Sequence, residues 1–149
     1  MAKGEALAVD GTFLQGVLLG RKKRALTRKL VVEGGYLLLT SPLQYRLALE
    51  MVEKRLIQRG LDPEGFLALA ESFLKDFFAV YKPSREALKD AERRGFKPGK
   101  DAELAALAIE LSIPVVTNDR DFWGRGVATW LPEHLEAYLS TSPPGSGTR

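Results

Sequence analysis

Short apolar runs alternate with helical stretches along this chain, and that alternation narrows the folds open to it more than any other feature. Ala6-Leu7-Ala8-Val9, Tyr36-Leu37-Leu38-Leu39-Thr40, Pro114-Val115-Val116-Thr117 and Val127-Ala128-Thr129-Trp130 are uncharged runs of strand length, and Ala79-Val80-Tyr81 adds a shorter one. Strands that are apolar throughout, without a polar alternate position, suit a sheet covered on both faces. Helices between such strands predict a central parallel sheet of four or five strands in a three-layer α/β/α sandwich.

The connecting segments carry helix signals. From Thr12 a helix places Phe13, Val17 and Leu18 on one face and stops at Gly20. A basic helix runs from Arg21 to Leu30, broken by Gly34-Gly35. Ser41-Pro42 opens the next, because serine caps free N–H groups and proline suits a first turn. Its predicted inner stripe is Leu43, Leu47, Met51 and Ile57, ending at Gly60. Asp62-Pro63 starts another helix, to about Phe78, and Ser84 caps a charged one to Arg94. After the turn-rich Gly95 to Gly99, Asp101 to Leu111 is helical with Leu104, Ala105 and Ala108 inward, and Pro132 to Leu139 forms the last helix. Residues 1–139 are expected to form one domain without internal repeats. Residues 140–149, rich in Ser, Pro, Gly and Thr, are expected to be a disordered tail.

Composition removes several function classes. A chain of 149 residues needs no covalent staples, and with no cysteine it has neither disulfides nor thiolate metal sites. A reducing, cytoplasmic setting is expected. The single histidine, His134, excludes a multi-histidine zinc site. The longest uncharged stretch, Gly34 to Tyr45, is well short of the roughly 18 apolar residues of a membrane span. No secretory signal pattern opens the chain. Lysine and arginine number 22 against 19 acids, a net +3 compatible with nucleic acid. The cations cluster at Arg21, Lys22, Lys23, Arg24, Arg28 and Lys29, and again at Arg93, Arg94, Lys97 and Lys100. Either cluster alone reads as a solvated helix end. One asparagine and three glutamines resemble a thermophile's avoidance of thermolabile side chains.

Function enters through the strand ends, since open parallel sheets bind ligands at the carboxyl edge where strand order reverses. Asp10 ends the first strand, and Asp119 ends the strand at Pro114 to Thr117. Asp121 follows two residues later, and Asp101 opens the helix just before that strand. A crossover connection brings these acids to one rim. Clustered carboxylates raise one another's pKa unless a cation intervenes, and hard Mg²⁺ or Mn²⁺ suits an all-oxygen set. Such an ion can activate water against a phosphodiester, with the basic clusters and nearby Arg120 and Arg125 holding the backbone. Taken singly, Asp10, Asp101 and Asp119 each read first as helix N-caps. Glu103, Glu110, Glu133 and Glu136 read as solvated helix faces and His134 as a surface residue. Trp123 and Trp130 read as core or rim packing, with base stacking open for Trp123, and Tyr36, Phe73, Phe77 and Phe78 as core.

The order of motifs resembles the PIN-domain nucleases, particularly VapC-like toxins of toxin–antitoxin pairs. Asp101-Ala102-Glu103-Leu104-Ala105-Ala106-Leu107-Ala108 is similar to the family's Asp-Ala-x-Ile-Ala-Ala-x-Ala helix. Pro114 to Thr117, then Asn118-Asp119-Arg120-Asp121-Phe122, resembles its strand and Thr-x-Asp-x-Asp-Phe loop, and Ala8-Val9-Asp10 resembles its opening strand and first acid. The similarity spans Leu7 to Leu139 and is looser in the middle. It implies a Mg²⁺- or Mn²⁺-dependent endoribonuclease, cytoplasmic and homodimeric, with an RNA substrate and a small antitoxin partner. It implies Asp10, Asp101 and Asp119 as catalytic metal ligands, Asp121 as an auxiliary acid, and Thr12 and Thr117 as carboxylate supports. Arg21, Lys22, Lys23, Arg24, Arg120 and Arg125 fall to nucleic-acid binding. The family's second acid, a glutamate in the helix after the second strand, aligns near Arg46 or Leu47 and is missing. Glu50, one turn further along, is the candidate substitute; the alternatives are a site that runs on the three acids plus Asp121, an Arg46 turned inward with activity crippled, or a catalytically degenerate RNA- or protein-binding module. A structure-specific DNA nuclease is a third reading.

Overall fold

The computed structural model describes residues 5–141. Five strands, β1 (Ala6–Val9), β2 (Leu37–Thr40), β3 (Phe78–Val80), β4 (Val115–Val116) and β5 (Thr129–Trp130), form one parallel sheet in the order β3-β2-β1-β4-β5. Helices α1 (Gly11–Leu19), α2 (Arg21–Arg28), α3 (Pro42–Gln58), α4 (Pro63–Phe77), α5 (Arg85–Arg93), α6 (Lys100–Leu111) and α7 (Pro132–Thr141) connect or follow them. The chain steps outward from β1 to β3, then crosses back to β4 on the other side of β1. Strand order therefore reverses between β1 and β4, and their carboxyl ends carry Asp10 and Asp119.

Alternate strand residues serve two cores, as the pleat requires. Leu7, Val9, Leu38, Phe78 and Val116 pack on the side covered by α1 to α4 and α7. Ala8, Leu39 and Val115 face α5 and α6 on the other. That second side is lined by alanines: Ala87 and Ala91 from α5 meet Ala102, Ala105, Ala106 and Ala108 from α6. Small side chains let these helices approach closely and hold the start of α6 firmly. The expected three-layer sandwich is the observed one.

Three expectations change. The inner stripe of α3 is Gln44, Ala48, Val52 and Leu56, all buried, while Met51 and Ile57 stand 40% and 56% exposed. Both stripes have helical spacing, and packing against α1 selects the one with a buried polar residue at its head. The last helix takes in Ser140 and Thr141, so that much of the expected tail is helical; residues 142–149 lie outside the described residues. Tyr36 and Phe78 are buried as expected, whereas Phe73 and Phe77 are half-buried and stacked on each other at 4.6 Å. Among the described residues no helix is long and apolar enough to cross a membrane.

Candidate active site

Three aspartates from two elements meet at the carboxyl edge of the sheet. Asp101 lies in the first turn of α6, and Asp119 caps a short 3-10 turn over Arg120–Phe122 that contains Asp121. One oxygen from each can be chosen so that all lie within 4.8 Å of one another. Asp10, Asp101 and Asp119 line a cleft of about 310 Å³ together with Thr12, Gln44, Lys100, Asn118 and Phe122. Asp121 is the most exposed of the acids.

Local chemistry fixes each carboxylate. Asp10 caps α1, accepting from Phe13 N at 2.8 Å, while its other oxygen accepts from the Thr117 hydroxyl at 2.6 Å. Thr117 in turn accepts from Asp119 N at 3.0 Å, so one buried hydroxyl joins the two strand ends. Asp119 caps the 3-10 turn by accepting from Asp121 N at 2.9 Å. The N-cap expectation thus holds for Asp10 and Asp119, and capping does not compete with a site, because a carboxylate has further lone pairs to offer. Asp101 caps nothing; Gly99 precedes its helix without a side-chain cap. Its carboxylate sits at the positive end of the α6 dipole.

Burial raises the Asp10 carboxyl above its ordinary value; the bonds from Thr117 and Phe13 N pull it back, and the neighbouring Asp119 charge pushes it up again. Asp101 is raised by burial and then by Asp119, with Asp121 and Asp10 adding repulsion and Lys100 opposing it. Carboxylates such as Asp10 and Asp101, raised in part by neighbouring negative charge, are ones that a cation would stabilise. The donor set is oxygen only and partly buried, which fits a hard divalent ion and excludes a soft one.

The opposite wall is neutral. Gln44 is 3% exposed; its Oε1 accepts from Gly11 N at 2.7 Å and its Nε2 donates to the Lys100 carbonyl at 3.1 Å. One amide therefore ties the starts of α1 and α6. Gln44 is the cleft-lining residue of the first turn of α3, two and three positions before Arg46 and Leu47, near which the family's glutamate aligns. Glu50 is exposed, paired with Arg46 at 3.6 Å, and does not reach the cleft. Arg46 is exposed too, not turned into the site. The signal for Gln44 was present in Ser41-Pro42-Leu43-Gln44, a capping-box spacing that puts the fourth residue in the first turn beside the rim. Here its side chain reaches across to neighbouring helices.

Other candidates separate in the same way. Thr12 is exposed on the cleft wall, and Thr117 makes the carboxylate contacts described above. Glu103, expected as a solvated face, accepts from Leu43 N at 2.7 Å and so caps α3 from α6. Glu110, also expected to be solvated, accepts from Ser84 N and from the Tyr81 hydroxyl. His134 is at the surface. Of the second basic cluster, Lys100 reaches the cleft. Arg21 and Lys22 are exposed on α2, and Lys23 and Arg24 are half-buried there. Arg120 lies 5.8 Å from the centre of the Trp123 ring, which is 48% exposed. Arg125, expected at a nucleic-acid surface, is half-buried and donates to the carbonyls of Asp121 and Arg94.

No curated protein matches the sequence. Among solved structures, the crystal structure of PAE2754 from Pyrobaculum aerophilum superposes with a TM-score of 0.64 at 22% identity, covering 94% of this chain and 92% of that one. At that identity the likeness speaks for the fold. The model of the PIN domain matches residues 9–140, a span that opens one residue before Asp10 and takes in every acid of the cleft. By that match, the chain belongs to the PIN domain family.

Proposed function

We propose that this protein is a metal-dependent endoribonuclease. PIN domains are generally nucleases, and the observation that carries the reading here is the convergence of Asp101, Asp119 and Asp121 within 4.8 Å, beside Asp10, where strand order reverses. Asp101, Asp119 and Asp121 would hold Mg²⁺ or Mn²⁺, with Asp10 on the adjoining wall. When bound, the ion supplies charge neutralisation and a more acidic water for attack on an RNA phosphodiester.

The chain's own residues prepare that chemistry. Thr117 holds the Asp10 and Asp119 ends together, and Gln44 keeps α1 and α6 at a fixed separation. Lys100 lies at the cleft as a phosphate contact. Arg120 and the Arg21 to Arg24 stretch of α2 supply sequence-independent attraction to the RNA backbone. Arrangement as a homodimer and pairing with a small antitoxin belong to the same proposal; sedimentation would report the first, and a neighbouring reading frame for a short DNA-binding protein the second.

The deciding experiment is cleavage of labelled single-stranded RNA with Mn²⁺, Mg²⁺ or EDTA, running the parent beside Asp119→Asn. Metal-dependent cutting that disappears in the variant is expected. Faster cutting of matched DNA would move the assignment to a DNA nuclease. A second reading, a non-cutting RNA- or protein-binding module, is favoured by the cleft lining, which among the described residues holds the neutral Gln44 and no glutamate, with Glu50 exposed outside it. Salt-sensitive RNA binding without product would select it.

A further inference from the structure

The acid-bearing loop is tied down by two arginines that hold each other's backbone. Arg125 Nε donates to the Asp121 carbonyl at 2.8 Å, and its Nη1 donates to the Arg94 carbonyl at 3.0 Å. Arg94 Nη1 donates in return to the Gly126 carbonyl at 3.1 Å and the Arg125 carbonyl at 3.4 Å, while its Nη2 pairs with Asp90 at 3.2 Å. The Arg125 guanidinium also lies 5.6 Å from the centre of the Phe96 ring, which packs on buried Phe122 at 5.0 Å. A planar fork that reaches two carbonyls while stacking on a ring is a task for arginine, which a lysine ammonium does not reproduce.

The glycines beside each guanidinium corroborate the arrangement. Gly95 has φ +93°, and a Cβ there would collide with Arg125 Nη1. Gly126 has φ +79°, and its Cβ would fall 2.8 Å from Arg94 Nη1. Both positions therefore admit the left-handed backbone and leave room for the partner arginine.

We infer that Arg94 and Arg125 form a reciprocal clasp that positions Asp121, and with it the Asp119 turn, for metal binding. Neither arginine lines the cleft, so both are positioning residues. This rests on the proposed metal site, because only an ion makes the exact placement of Asp121 matter.

The test compares Arg125→Gln and Arg94→Gln with Arg93→Gln, which removes one positive charge from the end of α5 and shares with the clasp only its pairing with Asp90. Calorimetric titration with Mn²⁺ and hydrogen exchange of residues 119–126 in EDTA are read for each, beside thermal unfolding. Both clasp variants should bind Mn²⁺ roughly tenfold more weakly, the usual effect of removing a residue that orients a ligand. Their loop amides should exchange faster, while Arg93→Gln matches the parent. Unchanged Mn²⁺ affinity in folded clasp variants overturns the inference, since lost stability alone would shift the unfolding midpoint and leave affinity intact. Equal weakening in Arg93→Gln also overturns it, in favour of a general charge effect. A parent that binds no Mn²⁺ removes the metal reading and the purpose assigned here, while loop exchange still shows whether the clasp orders the turn.

Discussion

Two helices begin at the same rim and bring opposite chemistry to it. Helix α6 starts at Lys100 without a side-chain cap and places Asp101 among other carboxylates, where burial and repulsion raise its pKa. Helix α3 starts at Pro42 with Ser41 as its cap and Glu103 as a second acceptor, and places a neutral Gln44 bonded at both its amide oxygen and its amide nitrogen. The α6 wall is under electrostatic strain that a cation relieves; the α3 wall is satisfied as it stands. A site of this kind separates binding from support. One wall holds the charge, and the other holds the distance.

The contrast breaks most visibly at α6. Asp101→Asn should cut metal-dependent cleavage by about 100-fold or more, at least the upper end of what disturbing an orienting neighbour does; a single-turnover assay on folded variant checks it. The register of α3 is tested by an adjacent pair. Leu56→Ala, at 3% exposure, should cost about 2–5 kcal/mol, whereas Ile57→Ala, at 56% exposure, should cost under about 1 kcal/mol in urea unfolding. The reverse ranking would restore the stripe through Ile57.

Charging the neutral wall gives a smaller effect. Gln44→Glu loses the donor to the Lys100 carbonyl but adds a negative charge facing the acids, so Mn²⁺ affinity should rise by about tenfold, or ~1.4 kcal/mol. The same variant should be less stable in EDTA, because the bond to the part-buried Lys100 carbonyl is gone and repulsion is added. Calorimetry and thermal unfolding read the two effects separately. If affinity falls instead, the amide tether matters more than the charge.

The smallest expected effect is on the pH dependence of the metal-free protein. Asp101 is raised in the folded state, so the folded protein holds that proton more tightly than the unfolded chain. Its contribution is complete below the ordinary carboxylate value and is lost as pH rises through the raised folded value. In EDTA at neutral pH, Asp101→Asn should therefore be slightly more stable than the parent, and the difference should vanish in acid. Adding Mn²⁺ should stabilise the parent more than the variant.

Much of this was legible in the sequence. The strands Ala6–Val9 and Leu37–Thr40 are apolar but for Thr40, as a doubly covered sheet requires. The rim acids could be named because strand ends and helix starts are local features, and topology sends both to one edge. The contacts between helices were less legible. Glu103 and Leu43 are 60 positions apart, and Arg94 and Arg125 are 31 apart, so no local pattern announces their bonds. In α3 two stripes of helical spacing compete, one of them all apolar. The rule that apolar residues face inward chooses Leu43, Leu47, Met51 and Ile57; the structure chooses Gln44, Ala48, Val52 and Leu56.

The sequence by itself determined the layer order, the capping of most helices and the acids of the rim. Those depend on hydrophobic period and on groups a few residues apart, and both are written along the chain. Only the tertiary structure decided that Gln44 faces the cleft while Glu50 does not, that Glu103 caps α3, and that Arg125 turns inward to hold the loop. Each of those outcomes depends on the rotation of one element against another. That rotation is set where buried polar groups must find partners across the fold, and an unpaired one costs about 1–3 kcal/mol, enough to override the preference of an exposed leucine or isoleucine.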